Sequence, residues 1–431
     1  MSNLKAGFSR VDITPHIGAK MGGYFFPRYA SGVLDPLYAT AVAFDDGEKR
    51  AVVISVDQLG VEHSFMEPLR KRIADSIQTD AEGVFVACTH THLSPVLEND
   101  YAEFFTRQLC DAAFLAVNDL SDTQMYYTHG RVEDVAFVRR YRMKDGSIKT
   151  NPGLQNPDVE GMLGSADEQS SLLILKREGK PEIGIVNFQV HPDVIGGSKI
   201  SADYPKFVRD TYEANIPNSR CMYINGAQGD TNHVDIRLSK DDCFSGYKRA
   251  RYMGTKIAMS VLANYLLAKK LHGHQIRFDQ QSLFVEHNKG TAEEIASAID
   301  IIQDYQSRNV TSWKAHSVVA KEYAMPFAMA RRIALLADAP DKKELKLTAI
   351  AVGDVVFAGF PGEPFTDLGR TVKEKSNFTL TIPACCACGY EGYYPTLDAY
   401  AGGYETCSAR YIAGTGECLA DSLTSLVNSL Y

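Results

Sequence analysis

Apolar and polar positions follow one another in blocks along this chain. Residues 38–57, YATAVAFDDGEKRAVVISVD, run apolar, then polar, then apolar again. Residues 171–191 (SLLILKREGKPEIGIVNFQVH) and 345–360 (LKLTAIAVGDVVFAGF) repeat the pattern. β-branched and apolar runs around a turn containing Gly or Asp predict a hairpin in each stretch. GVFVAC at 83–88 predicts a further strand, preceded by a helix-like segment at 63–78. These runs lack polar alternate positions, so both faces of the strands are expected to be covered, with helices packed over the sheets.

Helical spacing is found at 101–120, 203–216, 244–270, 291–307, 314–337 and 364–376. In 244–270 the apolar residues recur at helical intervals and the end is basic, which suits a helix C-terminus. Strands alternating with helices give the expected fold class, α/β with mixed β-sheets flanked by helices. The chain is read as a single large unit over 1–431, with the polar stretch 272–315 as a candidate lobe boundary.

Composition narrows the classes. The 431 residues are 45% hydrophobic and 23% charged, as in ordinary globular proteins. The net charge is −8 and no long Lys/Arg run occurs, so no nucleic-acid partner is expected. The N-terminus MSNLKAGFSRVDITP has no apolar signal region, and no run of 18 apolar residues exists, so no membrane insertion is expected. The 9 cysteines are an odd number, and without an export signal they read as reduced thiols in a cytoplasmic protein. Cys385, Cys386 and Cys388 cluster in ACCACGY, but no second Cys-x-x-Cys accompanies them, so they are expected to be small core residues.

Three predicted strands run into metal-capable side chains. GVFVAC leads into Thr89-His90-Thr91-His92, where residues i and i+2 of an extended segment point to one side. The second hairpin ends at His191, before Pro192 and Asp193; the third ends in FPGEPF, which holds Glu363. Strand ends in α/β proteins are common binding positions. Two or three His with one carboxylate form a zinc set that leaves room for water, whose pKa zinc lowers to about 7. Taken alone, His-x-His fits histidines hydrogen-bonded in a core equally well. His233 lies in the Gly-rich run GAQGDTNHVD after CMYIN, which reads either as a substrate-binding turn or as a simple β-turn. Tyr390, Tyr393, Tyr394, Tyr400 and Tyr404 lie among glycines at 388–405, where phenols can ligate a metal or bond an oxyanion, or simply pack a loop.

The ordered set AGFSRVDITP, MGGY, LYATAVAFDDG, VVISVD, ACTHTHLSP, VNFQVHP, ISADYP, GAQGD, FPGEPFT and YEGYYPT…GGYE resembles the N-terminal catalytic domain of the neutral/alkaline non-lysosomal ceramidases, from about residue 5 to 405. The resemblance implies one catalytic Zn2+ per chain, held by His90, His191, Glu363 and Tyr393, with Tyr390 competing for the last place. It implies that His92 contacts substrate or acts as acid/base. Arg139 stands for the family's active-site arginine, with Arg140 as fallback, and Tyr404 for an active-site tyrosine.

The resemblance has departures. Ceramidases carry Gly-Asp-Val-Ser-Pro, with a serine in the active site, whereas here Asn232 stands at that serine and is placed with the catalytic residues. Asparagine hydrogen-bonds but is no nucleophile. The ceramidases' C-terminal immunoglobulin-like domain is expected to be missing. A zinc-dependent amidase acting on the N-acyl bond of a small soluble substrate is therefore expected, such as an N-acylated amino sugar or amino alcohol rather than a two-chain lipid. The alternatives are a metal-dependent carbohydrate-modifying lyase, epimerase or ester/lactone hydrolase, and a non-catalytic binding protein. Manganese, iron or nickel would fit the same donors. Homo-oligomerisation is the default expectation.

Overall fold

The computed structural model describes residues 4–308 and 326–431. The three expected hairpins form as antiparallel pairs: Tyr38–Asp45 with Arg50–Val56, Gln169–Arg177 with Glu182–Phe188, and Lys342–Val352 with Val355–Gly359. The first two belong to a nine-stranded mixed sheet. Its path runs Ser219–Asn225, Glu182–Phe188, Gln169–Arg177, Ser121–Arg131, Lys5–Asp12, Tyr38–Asp45, Arg50–Val56 and Val84–Cys88. The pair at each end is parallel. The third hairpin lies in a four-stranded sheet between Ile276–Glu286 and Leu380–Ala384.

The two sheets stack, and this explains the unbroken apolar runs. Alternate residues Ala39, Ala41, Ala43, Val52, Ile54 and Val56 join a core with the helices outside the large sheet. Their neighbours Val42, Phe44, Ala51, Val53 and Phe85 join Phe357, Ile350 and Ile382 of the smaller sheet. Helices Thr366–Lys375 and Thr415–Ser429 cover the outer face of the smaller sheet through Leu368, Val372, Leu419, Leu423 and Val427. The order of layers is helices, sheet, sheet, helices. Both faces of the hairpin strands are dry over most of their length, so the period-2 alternation of a half-exposed strand is absent there.

The large sheet also curls until its two ends meet. Asn225 Nδ2, from the last residue of one end strand, donates to the Thr89 carbonyl just beyond the other at 3.1 Å. Cys88 N donates to Cys386 O at 3.2 Å, and Cys385 N to Asn225 O at 2.9 Å. The ACCACGY run therefore threads between the two ends. Its Cys385, Cys386 and Cys388 are buried, and all nine cysteines of the chain are free.

Some expectations need correction. The helix read at 244–270 spans Gly246–Leu262, and Lys269–Lys270 instead pair with the strand Ser121–Arg131. Within the segment read as a helix at 314–337, residues 326–336 are helical; 314–325 lie outside the described residues. The helix Thr415–Ser429 was not anticipated. An edge strand, Ile276–Glu286, which was not read in the sequence, pairs along its whole length with Lys342–Val352. Among the described residues no helix is long and apolar enough to cross a membrane.

Candidate metal centre

His90 follows the strand Val84–Cys88, and His191 follows Glu182–Phe188. These strands lie near opposite ends of the sheet path, and only the curl brings the two histidines together. His90 adopts a left-handed backbone, φ 71°. Such a conformation is rare outside glycine and costs on the order of 1–3 kcal/mol, so the surroundings must enforce it. They do: His90 N donates to Gln58 O at 2.9 Å, and Nδ1 lies 2.6 Å from Leu59 O. With Nδ1–H donating to that carbonyl, Nε2 is turned to Glu363 Oε2, 3.3 Å away, and is the nitrogen that would ligate a metal.

Glu363 reaches the site through a short parallel pair in which it is the register partner of Tyr393. The turn that delivers it packs backbone on backbone. A Cβ on Gly362 would lie 2.4 Å from Gly392 O, and one on Gly229 would lie 2.5 Å from Glu363 O. No larger residue fits either place.

His90, His92 and His191 each present a ligating nitrogen, all within 4.8 Å of one another. His92 Nε2 is 3.0 Å from His191 Nε2, and His191 Nδ1 is 3.8 Å from Glu363 Oε2. Burial, aided by neighbouring positive charge, holds His92 and His191 well below the ordinary imidazole pKa. Both are therefore neutral and carry a lone pair. Burial alone would raise the Glu363 pKa, but His90, the Tyr390 hydroxyl and Arg139 together pull it down to about 2. Tyr390 donates to Glu363 Oε1 at 2.7 Å, while Oε2 and His191 Nδ1 are buried without a hydrogen-bond partner among the described residues. A buried carboxylate oxygen and a buried imidazole nitrogen left unpaired beside each other are costly. A divalent cation would satisfy both, and neutral imidazoles with a carboxylate are donors that suit zinc. The residues present fit a metal.

Two solved structures match this arrangement of layers over nearly the whole chain. The neutral ceramidase from Pseudomonas aeruginosa has a TM-score of 0.74 at 17% identity, covering 99% of this chain and 74% of that one. A ceramidase described as complexed with C2 has a TM-score of 0.70 at 16% identity, covering 99% of this chain and 75% of that one. The chain has a ceramidase-like fold. No protein-family model matches the sequence, and no curated protein matches it significantly.

Within the ceramidase-like fold the other expected residues fall into three places. Arg139 is at the centre: Nε donates to Glu405 Oε1 at 2.7 Å, and Nη2 to Gly229 O at 2.8 Å and Tyr393 Oη at 3.1 Å. Tyr404 packs its ring 5.9 Å from that of Tyr393. Burial and Glu363 raise the Tyr393 phenol well above its ordinary pKa, with Arg139 pulling the other way. Arg140 points elsewhere, to the Ala399 and Gly402 carbonyls. Asn232 is occupied locally: Nδ2 donates to Asn151 Oδ1 at 2.7 Å, and Oδ1 caps Val234 N at 3.0 Å.

The site opens on one side. His90 and Glu363 keep 2% and 1% of their side-chain surface exposed, whereas His92 and Asp193 keep 12% and 33%. Asp193 lies 3.9 Å from His92 Nδ1 and accepts a hydrogen bond from the Tyr24 hydroxyl. Tyr24 meets His92 edge-on at 5.6 Å, and Phe25 meets Tyr404 at 6.1 Å and Phe327 at 5.4 Å. Sequence reasoning passed over Glu405, Asp193 and the Tyr24-Phe25 pair. Glu405 directly follows Tyr404 and Asp193 lies two residues from His191, but nothing in the sequence places Tyr24 over the histidines.

Proposed function

We propose that this chain is a metal-dependent hydrolase that cleaves the amide bond of a small N-acyl substrate. The observation that carries the reading is that Glu363 Oε2 and His191 Nδ1 are buried side by side without hydrogen-bond partners among the described residues, next to His90 and His92. The ceramidase-like fold supports the amide as the bond attacked.

In this reading His90 Nε2, His191, Glu363 and Tyr393 hold one Zn2+. When bound, zinc supplies a Lewis acid for the carbonyl and a water acidified to about pKa 7. The chain's own groups do the rest. Leu59 O fixes the His90 tautomer and Tyr390 fixes the Glu363 carboxylate, so the donors are pre-oriented. Arg139 keeps its positive charge beside Tyr393 Oη, and its Nη1 makes no bond to the protein among the described residues, so it faces charge developing on the substrate oxygen. The Tyr404 hydroxyl donates to the same oxygen. His92, neutral and on the open side, takes up the proton that the attacking water releases and hands it to the leaving amine.

Elemental analysis of the purified protein beside His191→Ala tests the reading, followed by amine release from N-acyl compounds. One zinc per chain, lost in the variant, together with amine release supports it; no bound metal after zinc is offered sinks it. The close approach of His92 to His191 favours a second ligand set, His90, His92 and His191. Zinc kept in His92→Ala supports the first set, and zinc lost there supports the second.

A further inference from the structure

Asn225 ends the strand Ser219–Asn225, after Met222, Tyr223 and Ile224, and none of its surface is exposed. Asparagine is disfavoured in strands, and a carboxamide taken out of water is costly unless it is hydrogen-bonded. Here both ends of the carboxamide are engaged across the seam where the large sheet closes on itself. Nδ2 donates to Thr89 O at 3.1 Å, and Oδ1 accepts from Val190 N at 3.4 Å. The Tyr204 and Tyr223 hydroxyls stand 3.3 and 3.4 Å from the same Oδ1. Those hydroxyls also reach the Val190 and Phe188 carbonyls, at 2.7 and 2.9 Å, which braces the chain leading to His191.

Thr89 directly precedes His90, and Val190 directly precedes His191. One side chain thus spans the two backbones that bring these histidines in from near opposite ends of the sheet path. Glu363 is tied to the same point through the main chain. Cys385 N donates to Asn225 O at 2.9 Å, and Cys386 N donates to Gly362 O at 2.8 Å, one residue before Glu363. A carboxamide suits this place because it donates from one end and accepts at the other, which an apolar side chain of similar volume cannot do.

Resting on the metal-centre reading above, we propose that Asn225 is a positioning residue for the metal, its carboxamide setting the spacing between His90 and His191. Both ligand sets considered for the centre contain these two histidines. Asn225 acts on them through the backbone, not through their rings. Groups that hold ligating side chains in place are worth about 10–100-fold in metal affinity. The fold does not hang on the carboxamide alone. The pairing of Glu182–Phe188 with Ser219–Asn225 and the bond from Cys385 N to Asn225 O are made by the backbone and survive a substitution.

Asn225→Leu tests this, with Asn225→Ala as a second variant free of the leucine's bulk. Thr123→Val is the control. It removes a buried hydrogen bond from Ala6 N in the same sheet, beside the turn of the second hairpin and not at the end that leads to His191. Two quantities are read: the zinc dissociation constant by chelator competition, and the visible bands of the Co2+-loaded protein, which follow ligand geometry. The Asn225 variants are expected to bind zinc about 10–100-fold more weakly than wild type and to show altered cobalt bands. Thr123→Val is expected to lose stability in urea but to keep the wild-type zinc affinity and bands. Wild-type affinity and bands in the Asn225 variants overturn the proposal; so does an equal loss in Thr123→Val, the mark of general destabilisation. Failure of both Asn225 variants to fold also overturns it, since Asn225 would then serve the fold as a whole. If the wild type takes up neither Zn2+ nor Co2+, the metal reading fails, and the imidazole magnetic resonances of His90 and His191 in the metal-free protein decide the spacing separately. Signals displaced in Asn225→Leu but not in Thr123→Val uphold the proposal, and unchanged signals overturn it.

Discussion

Replacing Arg139 with methionine removes three hydrogen bonds while keeping most of the side chain's packing volume. Arg139 and Glu405 are a buried pair, with 9% and 0% of their side-chain surface exposed. Without Arg139, the Glu405 carboxylate retains the Thr150 hydroxyl at 2.8 Å and Arg140 Nε at 3.6 Å. The Gly229 carbonyl loses its side-chain donor as well. Breaking a buried ion pair by deleting one partner costs about 3–5 kcal/mol. Arg140 Nε is itself buried without a hydrogen-bond partner and can draw closer, which places the expected loss at the lower end, about 3 kcal/mol. The assay is urea unfolding followed by circular dichroism, with chelator present so that metal binding adds nothing. Adding Glu405→Gln removes the stranded charge, so Arg139→Met/Glu405→Gln should be more stable than Arg139→Met by about 1–3 kcal/mol. If Arg139→Met unfolds at the wild-type midpoint, or the double variant is no more stable than the single one, the argument from an unpaired buried charge is wrong.

Two further outcomes are expected. Gly362→Ala drives a methyl group against Gly392 O, prising apart the Glu363–Tyr393 pairing; it should cost about 1–3 kcal/mol and lower the zinc retained through dialysis, read by elemental analysis. Asp57→Ala strands the Arg209 guanidinium, which donates to both Asp57 oxygens at 2.9 and 2.7 Å with 4% of its side chain exposed; a loss of about 3–5 kcal/mol should appear in urea unfolding, and an unchanged midpoint would count against this pair's role.

The residues of the centre were legible in the sequence because each has a local signature. His90 and His92 sit two apart after a buried strand, His191 ends a hairpin, and Glu363 follows a third strand in a turn that needs glycine. The choice of Arg139 over Arg140 was harder to read. Adjacent residues in an extended segment point to opposite sides, and only the contacts show that Arg139 reaches Tyr393 while Arg140 reaches the 399–402 turn. Tyr390 and Tyr393 were not separable for the same reason: both reach the centre, one bonding Glu363 and the other Arg139. The helix ending at Leu262 shows another limit, since apolar spacing continues to 268 but pairing with the strand Ser121–Arg131 takes over the backbone.

The sequence by itself determined the three hairpins, the strand before His90 and most of the helices, because apolar periodicity, glycine turns and β-branched runs act over a few neighbouring residues. It also supplied the candidate donors, since the chemistry of imidazole and carboxylate belongs to the residues themselves. The tertiary structure alone decided that the large sheet curls until Asn225 meets Thr89, and so that His90 and His191, 101 positions apart, share one centre. It also decided that Tyr24 stands beside Asp193 and over His92. These are long-range consequences of packing two sheets face to face, and no local pattern encodes which distant side chains such packing brings into contact.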